Sequence, residues 1–345
     1  MNKWSRYLML IVPTVVGAAF FFWQASDVRP ELPQSGWYPA VEKSVGNEPI
    51  TPIPLEIKLD QRKVALGQRL FNDTQLSRNN TISCASCHNL NRGGVDGLPR
   101  SIGIGGAEGG INAPTVFNSG FNFRQFWDGR AVTLEEQIDG PVQHPKEMGA
   151  SWPEVIARLE KDEGYRDDFA ALYGAGIRPA TVKDAIATFE RSLITPNAKF
   201  DRFLRGQKDA LDSEEFAGYQ LFKELGCISC HQGMNVGGNM YEKLGLVEDY
   251  FARRGNVQKV DLGRYNLTGK EEHRYEFRVP SLRNVALTAP YLHDASASTL
   301  EQVVAIMGKY QLGVDLQDAE IVRIVKFLNT LTGEYPATQH EGATK

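Results

Sequence analysis

The order of apolar and polar residues along the chain predicts mostly helices joined by long irregular loops. Apolar residues recur at helical spacing after Thr181, which with Asp184 resembles a capping box, and Ser298 with Glu301 predicts a second helix start. A third, strongly apolar helix is predicted over residues 318–331. Few segments show the period of two that strands require. We therefore expect a mostly α fold.

A weak internal repeat predicts two related domains, because one short pattern occurs twice, each time before a pair of cysteines. The pattern is a glycine followed three and four positions later by leucine and phenylalanine, at Gly67, Leu70 and Phe71 and again at Gly218, Leu221 and Phe222. Residues 57–200 and residues 201–345 are accordingly expected to form a first and a second domain, with the boundary near residue 200, around Thr195, Pro196 and Asn197.

The amino-terminal segment is typical of an export signal or a single membrane anchor. Lys3 and Arg6 precede an uncharged, mostly apolar run over residues 8–23, which ends in aromatic rather than small residues. This ending favours a retained anchor, with the positive residues inside and the rest exported; a cleaved signal remains the alternative. We assign residues 1–27 to this segment and residues 28–56, which are rich in proline, to a linker.

Composition narrows the function classes. The chain has 345 residues, of which 42% are hydrophobic, so it is long enough for two folded domains. Its formal net charge of −4 argues against a polybasic nucleic-acid binder.

The four cysteines form two C-x-x-C-H motifs, and these motifs carry the candidate chemistry. They comprise Cys84, Cys87 and His88 in the first copy and Cys227, Cys230 and His231 in the second. Such a motif attaches a c-type haem, with the two thiols on the porphyrin and the histidine on the iron. Disulfides or zinc are the rivals, but a histidine directly after the second cysteine is poor geometry for one zinc ion. The sequence therefore predicts two covalent haems in an exported protein.

The sixth iron ligand distinguishes the two haems, because a Met/His pair raises the reduction potential whereas an open position admits a peroxide. Met307 lies downstream of the second motif on a predicted helix. By helix spacing alone it is more typical of a core residue.

Several segments, in this order and spacing, resemble the bacterial di-haem cytochrome c peroxidase family from about residue 60 to 335. Besides the haem motifs they are N-A-P-T-V from Asn112, Q-F-W-D-G-R-A from Gln125, L-E-E-Q up to Gln137, Glu147 with Met148, V-P-S-L-R-N from Val279 and A-P-Y-L-H-D from Ala289.

The resemblance implies two cytochrome-c-like helical domains with one haem each. It makes His88 the proximal ligand of a peroxidatic first haem, and His231 and Met307 the ligands of a high-potential second haem where electrons enter. Trp127 resembles the family's tryptophan between the haems, which helps electrons pass. His293 resembles a family position near the second haem, to which we assign no catalytic role.

The resemblance also implies a peroxide site and a calcium site. Gln137 and Glu147 resemble the polar pair on the distal side of the first haem, where a carboxylate can act as general base and then acid. Three further residues resemble the family's calcium ligands, namely Asn112, Thr288 and Pro290. A hard cation takes such carbonyl and amide oxygens. Without the resemblance, Glu147 is typical of a solvated loop acid and Asn112 of a turn.

One departure from the family pattern affects the mechanism. Many members carry a distal histidine in the loop before Asn112, and it caps the peroxidatic iron at rest. Here the corresponding position is Ile104, and the loop over residues 101–110 contains no histidine. We therefore predict a first haem that is open or water-bound at rest; capping by Glu108, His144 or His273 is the alternative.

The predicted function is reduction of H2O2 to water, with electrons from a small c-type cytochrome or a cupredoxin. The alternatives are a MauG-like oxidase that modifies a protein, whose relatives also lack the distal histidine but use a tyrosine in place of Met307, and a non-enzymatic electron carrier. Tyr310 is the only nearby candidate for such a tyrosine. We expect two haem c groups, one Ca²⁺ and a homodimer, with no nucleic-acid partner. The expected location is the bacterial periplasm, either soluble or tethered to the inner membrane by residues 8–24.

Overall fold

A computed structural model describes Ser44, Gly46 and residues 48–335 of the chain. Within this part the structure is mostly helical, as predicted, and its strands are two short segments. The predicted signal or anchor over residues 1–27 lies outside the described residues, as does most of the predicted linker. In the part that is described, no helix is both long and apolar enough to cross a bilayer.

The helices divide into an earlier and a later set. The earlier set comprises α1 (Gln61–Asn72), α2 (Cys84–Cys87), α3 (Leu134–Gln143), α4 (Trp152–Leu159), α5 (Glu163–Leu172) and α6 (Pro179–Ser192). The later set comprises α7 (Lys199–Leu204), α8 (Ser213–Glu224), α9 (Tyr250–Arg254), α10 (Tyr265–Thr268), α11 (Leu300–Ile306) and α12 (Asp318–Asn329).

Short elements fill much of the remaining chain. Two antiparallel strands, β1 (Tyr241–Lys243) and β2 (Glu276–Arg278), pair with Glu242 opposite Phe277. A π-helical turn, Met307–Gln311, follows α11 directly. Single 3₁₀ turns lie at Thr74–Leu76, Leu90–Arg92, Ile104–Gly106, Ser119–Phe121, Lys208–Ala210, Cys227–Ser229, Lys259–Leu262, Glu271–His273 and Val285–Leu287.

Two predicted helix caps are wrong, by three residues at α6 and by one residue at α11. The helix α6 begins at Pro179, so Thr181 lies inside its first turn, where its hydroxyl accepts a 2.9 Å hydrogen bond from the Arg178 N–H. Proline favours a first helical position because its missing N–H would have no partner there. The helix α11 begins at Leu300 and is capped by Thr299 rather than Ser298.

The repeated glycine marks the same helix packing in both halves. In α1, a Cβ atom added to Gly67 would lie 2.0 Å from the carbonyl oxygen of Ala185 in α6. In α8, a Cβ atom added to Gly218 would lie 2.0 Å from the carbonyl oxygen of Arg323 in α12. Each helix before a C-x-x-C-H motif therefore approaches its partner so closely that only glycine fits.

Three apolar clusters form the interior. The first core contains buried residues from Val64 to Leu193, and the second core contains Ile50 and buried residues from Phe200 to Leu331. A small aromatic core consists of Tyr250, Phe251 and Phe277, with Trp127 and Tyr310 packed against it among others. Because Trp127 comes from the first half of the chain, the aromatic core connects the halves.

The segment over residues 48–53, which we call the strap, packs on the second half although it precedes the first. Ile50 belongs to the second core and, like Ile53, is fully buried. The strap's Thr51 carbonyl accepts a 3.0 Å hydrogen bond from Arg283. Arg283 also forms a 2.7 Å ion pair with Asp201, and both side chains are at most 1% exposed. The strap is therefore tied to a buried charge pair.

The other end of the described chain returns to the first half. The Tyr335 ring lies 4.7 Å from that of Phe117 in the first core, and the Glu334 N–H donates to the Pro196 carbonyl at 2.8 Å. Nearby, Thr195 is buried and exchanges hydrogen bonds with Asn118. The predicted domain boundary thus falls in a buried, hydrogen-bonded segment, and the domain limits stay a prediction.

Candidate haem sites

The second C-x-x-C-H motif lines a cavity of about 270 Å³. Cys227, Cys230 and His231 contribute to its wall, and so does Met307. Apolar side chains from α8, α11 and α12 complete much of the lining, including Phe222, Val304 and Leu328. The second motif and its predicted methionine ligand therefore border one space.

Met307 lies where the helix geometry changes. It is the C-cap of α11 and the first residue of the π-helical turn. Such turns are rare and frequent at functional sites. The next residue, Gly308, packs against Leu316: a Cβ atom added to this glycine would lie 2.7 Å from the Cγ atom of Leu316.

Both motif histidines have one ring nitrogen occupied by a backbone carbonyl. The Nδ1 atom of His88 lies 3.3 Å from the Gly94 oxygen, and that of His231 lies 3.1 Å from the Val236 oxygen. A carbonyl only accepts, so Nδ1 carries the proton and Nε2 keeps its lone pair. Burial lowers the pKa of both imidazoles, to about 4 for His231. Both are neutral imidazoles suited to a metal.

The four cysteines form no disulfide. Burial raises the pKa of the Cys227 thiol to about 11 and that of Cys84 still further. Before haem attachment, burial thus favours the protonated form of these two thiols.

The loop with Ile104 is fixed against the segment with Glu147. The Ile104 N–H donates to the Glu147 carbonyl at 2.9 Å, and the Ile104 side chain is 5% exposed. The same segment folds back on the end of α3, because the Met148 N–H donates to the Pro141 carbonyl at 3.1 Å. Glu147 is thus held beside the helix that carries Gln137. In the described part of the chain, no hydrogen bond joins the Gln137 and Glu147 side chains directly.

The electrostatics of Glu147 fit a carboxyl that exchanges protons. Partial burial raises its pKa, while His144 and Arg130 oppose the rise. The Nδ1 atom of His144 lies 3.4 Å from a Glu147 carboxylate oxygen. Burial raises the pKa of Cys87, and the charges of Asp96 and Glu147 raise it further. The charge of Glu147 therefore contributes to the electrostatics of the first motif.

The structure gives the other candidate iron caps different surroundings. Glu108 is exposed and lies 3.7 Å from Arg100. His144 accepts from the Lys146 N–H in addition to facing Glu147. The Nδ1 atom of His273 lies 2.8 Å from the Thr268 hydroxyl. Each of the three already has a local partner.

Trp127 and the predicted calcium ligands also border the second cavity. The Trp127 indole N–H donates to the Asn112 carbonyl at 2.9 Å, and the Asn112 side-chain NH₂ donates to the Leu98 carbonyl at 3.0 Å. The side-chain oxygen of Asn112 is left without such a bond among the described residues. Thr288 and Pro290 lie on the wall of the same cavity.

Sequence reasoning missed a buried charge network beside Trp127. Asp261, His293 and Asp294 have ligating atoms within 4.8 Å of one another. Arg254 pairs with both carboxylates, so a guanidinium already supplies the positive charge that a metal would bring. Burial opposes ionisation of Asp261, but hydrogen bonds from Arg254, Gln258 and His293 hold its pKa below its usual range. These residues are distant in sequence, and no local pattern signals them.

Sequence reasoning also missed Glu190, a buried acid in α6. It is 6% exposed, and its Oε2 atom has no hydrogen-bond partner. Burial raises its pKa to about 8, although Arg191 lowers it. A signal was available, because Glu190 falls four residues after Ile186 and three before Leu193, on the face that the apolar pattern buries.

Comparison with known proteins identifies the class. A family model described as di-haem cytochrome c peroxidase matches residues 61–209. Cytochrome c peroxidase Ccp of Escherichia coli is 50% identical over 84% of this chain, which spans 62% of that relative's length. Cytochrome c551 peroxidase of Nitrosomonas europaea is 45% identical over 84% of this chain and 86% of its own length. A solved MauG-like protein associated with microbial copper homeostasis aligns with a TM-score of 0.73 and 32% identity, covering 86% of this chain and 96% of that chain.

The chain therefore belongs to the di-haem cytochrome c peroxidase family, whose members carry two haem c groups and act on H2O2 with a cytochrome as electron donor. The residues present fit that cofactor. Each motif offers two free thiols beside an imidazole whose Nε2 atom has a lone pair for iron.

Proposed function

We propose that this chain reduces H2O2 to water at its first C-x-x-C-H site, with electrons that enter at the second. The observation that carries the proposal is the distal loop, where buried Ile104 occupies the position of the usual histidine, hydrogen-bonded through its backbone to Glu147. An isoleucine side chain offers no atom to iron. The first site is therefore ready for peroxide without prior reduction.

The chain's own residues move the protons. When bound through Cys84 and Cys87 with His88 on the iron, haem supplies the redox chemistry of O–O cleavage. Glu147 accepts a proton from one peroxide oxygen and returns it to the other, so that water can leave. A positioned acid–base group contributes about 10²–10⁴-fold to such a step. Gln137 orients peroxide by hydrogen bonds, since its amide does not titrate.

The second site is proposed to receive electrons. His231 and Met307 border its cavity and would both bind the haem iron, a ligand pair that favours a high potential. Trp127, on the same cavity wall, would help electrons pass to the first site. The donor is a small c-type cytochrome or a cupredoxin.

A calcium ion is proposed at Asn112, Thr288 and Pro290. All three border one cavity, and the Asn112 side-chain oxygen is uncommitted among the described residues. This all-oxygen donor set suits a hard cation, with water completing the shell. By holding Asn112, the ion would also position the carbonyl that accepts from Trp127.

The cellular location and the oligomeric state are part of the same proposal. The amino-terminal pattern favours export to the periplasm, with residues 8–24 as an inner-membrane tether or part of a cleaved signal. The assembly is proposed to be a homodimer.

A MauG-like oxidase is the second candidate. The histidine-free distal loop favours it, and so does the likeness to a MauG-like solved structure. Met307 on the cavity wall disfavours it, because MauG-like relatives use tyrosine there. Tyr310, the nearby alternative, packs instead against Tyr250 in the aromatic core.

Electron paramagnetic resonance of the fully oxidised holoenzyme tests the proposal, together with visible spectra after H2O2 is added. We expect one high-spin ferric signal, one low-spin His/Met signal and an immediate reaction. Two low-spin signals without prompt reaction would mean that another residue caps the first iron. A low-potential second haem with tyrosine-like ligation would favour the oxidase.

A further inference from the structure

Tyr250 combines two features that a redox-active tyrosine needs. It is 5% exposed in the aromatic core, and its hydroxyl lies 2.7 Å from the Ser296 hydroxyl. The Ser296 hydroxyl in turn donates to Asp294 at 2.7 Å. Because Ser296 gives its only proton to the carboxylate, Tyr250 must be the donor to Ser296. The phenol thus has a two-step proton path to a carboxylate.

A run of ring contacts leads from Trp127 to Tyr250. The Trp127 and His293 centroids are 6.3 Å apart, those of His293 and Phe251 are 5.9 Å apart, and those of Phe251 and Tyr250 are 5.3 Å apart. Tyr310 continues the run, 5.2 Å beyond Tyr250 and half-buried at the π-helical turn. Trp127 and Tyr250 are thereby linked through one compact aromatic cluster.

The local charge favours proton loss together with electron loss. The Arg254 guanidinium lies 5.1 Å from the Phe251 ring and 5.9 Å from the Tyr250 ring. Arg254 is paired with both Asp261 and Asp294, so the cluster beside Tyr250 contains a carboxylate, Asp294, that can take up the phenolic proton. Burial raises the pKa of Tyr250, so the residue is a neutral phenol before it reacts. Only a ring that releases its proton becomes a neutral radical, and of these two only Tyr250 has a proton to release.

We propose that Tyr250 is a redox-active tyrosine that gives one electron towards Trp127, and its phenolic proton through Ser296 to Asp294, when peroxide arrives without an electron donor. This inference rests on the proposed peroxidase function, which supplies H2O2 as the oxidant. In the step, the Tyr250 O–H bond breaks and a neutral tyrosyl radical remains. Ser296 takes the phenolic proton and passes its own to Asp294. The electron is one of the two that peroxide requires, and the bound haem group would supply the other. A later electron from the external donor, with the returning proton, restores the phenol.

The stored oxidising equivalent would protect the first site during donor shortage. An oxidising equivalent that stayed at the first site would oxidise nearby side chains. On Tyr250 it would be buried, and Asp294 would hold the proton that restores the phenol. Tyr310, half-buried and 5.2 Å from Tyr250, is the ring through which an external reductant would reach it.

The test is freeze-quench electron paramagnetic resonance of the fully oxidised holoenzyme after one equivalent of H2O2, with no donor present. We expect a tyrosyl signal near the free-electron g value that narrows when ring-deuterated tyrosine is incorporated. Tyr250→Phe should lose this signal. Tyr275→Phe is the matched control, since Tyr275 stacks on Phe251 at 4.3 Å but its hydroxyl has no hydrogen-bonded acceptor among the described residues.

Ser296→Ala provides a second variant in case Tyr250→Phe is poorly folded. This variant keeps the rings of Tyr250 and Tyr275 but removes the hydroxyl that links Tyr250 to Asp294. Formation of the tyrosyl radical should therefore become slower and lose its solvent deuterium isotope effect. Suppose that the haem spectra show reaction with peroxide. A tyrosyl signal that persists in Tyr250→Phe, or one that is lost in Tyr275→Phe, then overturns the inference but leaves the proposed function intact. If the haem spectra do not respond to peroxide at all, the proposed function fails, and this inference with it.

Discussion

The two halves of the molecule share one helix packing but differ in the side chains that they bring near the C-x-x-C-H motif. In both, a glycine on the helix before the C-x-x-C-H motif lies against a backbone carbonyl of a later helix. The second half then places Met307 on the wall of a largely apolar cavity. The first half instead brings a polar segment with Glu147 against a loop that offers only Ile104. One helix packing therefore supports two different sets of side chains around the two C-x-x-C-H motifs.

The largest expected effect concerns Glu147, which has no counterpart in the second half. We expect Glu147→Gln to lower the rate of reaction with H2O2 by about 10²–10⁴-fold, because the proton carrier is lost. Stopped-flow spectroscopy of the holoenzyme measures this rate. Glu108→Gln, which changes an exposed acid paired with Arg100, should leave it unchanged.

The rate of reaction with H2O2 should also depend on pH through Glu147. Glu147 must start as a carboxylate, so the rate should fall as pH falls through its pKa. Since burial raises that pKa, the fall should begin at higher pH than for an ordinary glutamate. This acid limb should be absent from Glu147→Gln. An unchanged limb in that variant would assign the proton transfer to another group.

The second expected effect is on the reduction potential of the second haem. Met307→Leu removes a thioether without a large change in volume, and the potential should fall, because Met/His ligation raises it. About 59 mV corresponds to a tenfold change in a one-electron equilibrium, and we expect a larger fall. Potentiometric titration followed in the visible spectrum measures it. Met240→Leu, elsewhere in the second half, should leave the potential unchanged.

The third expected effect makes the first half resemble the second. Ile104→His supplies a distal ligand, so the first haem should become low-spin at rest and react with peroxide only after reduction. We expect the initial rate without reduction to fall at least about tenfold, which corresponds to roughly 1.4 kcal/mol. Ile102→His places the same side chain at a 46% exposed position of this loop and should keep the high-spin signal.

The last expected effect is on folding stability rather than on rate or potential, and it concerns the first half. Burial raises the pKa of Glu190 from 4.5 to about 8, so the folded state binds an extra proton between these values. Stability is therefore fully present below about pH 4.5 and falls as pH rises to about 8, by on the order of a few kcal/mol. Thermal unfolding of Glu190→Gln across this range should lack that slope, whereas Glu163→Gln, near an exposed helix start, should retain it.

Local patterns predicted the helices and the haem motifs because both depend on neighbours in sequence. The periodic apolar face of α6 and the spacing within each C-x-x-C-H motif are of this kind. The start of α6 was missed, since a proline at the first turn outweighed the Thr181 capping pattern. The roles of Glu147 and Trp127 came only from the family resemblance and remain predictions.

Features built from distant segments could not be predicted. The network around Asp261 brings together Arg254, His293 and Asp294, and the strap binds a charge pair formed by Arg283 and Asp201. Each requires the fold before its members meet. Glu190 is the exception, because its position on the apolar face was readable from helical spacing.

The first and the last segments of the described chain each pack on the half that is farther from them in sequence, and this has a mechanical consequence. The strap over residues 48–53 is attached to the second half, while Tyr335 is attached to the first. A pulling force applied between these two ends would load the Arg283–Asp201 pair and the Tyr335–Phe117 contact before it reached α1 or α12. Each half therefore packs against a segment that the other half of the sequence supplies. Cutting the chain near residue 200 would separate the second core from the strap, and the first core from Tyr335.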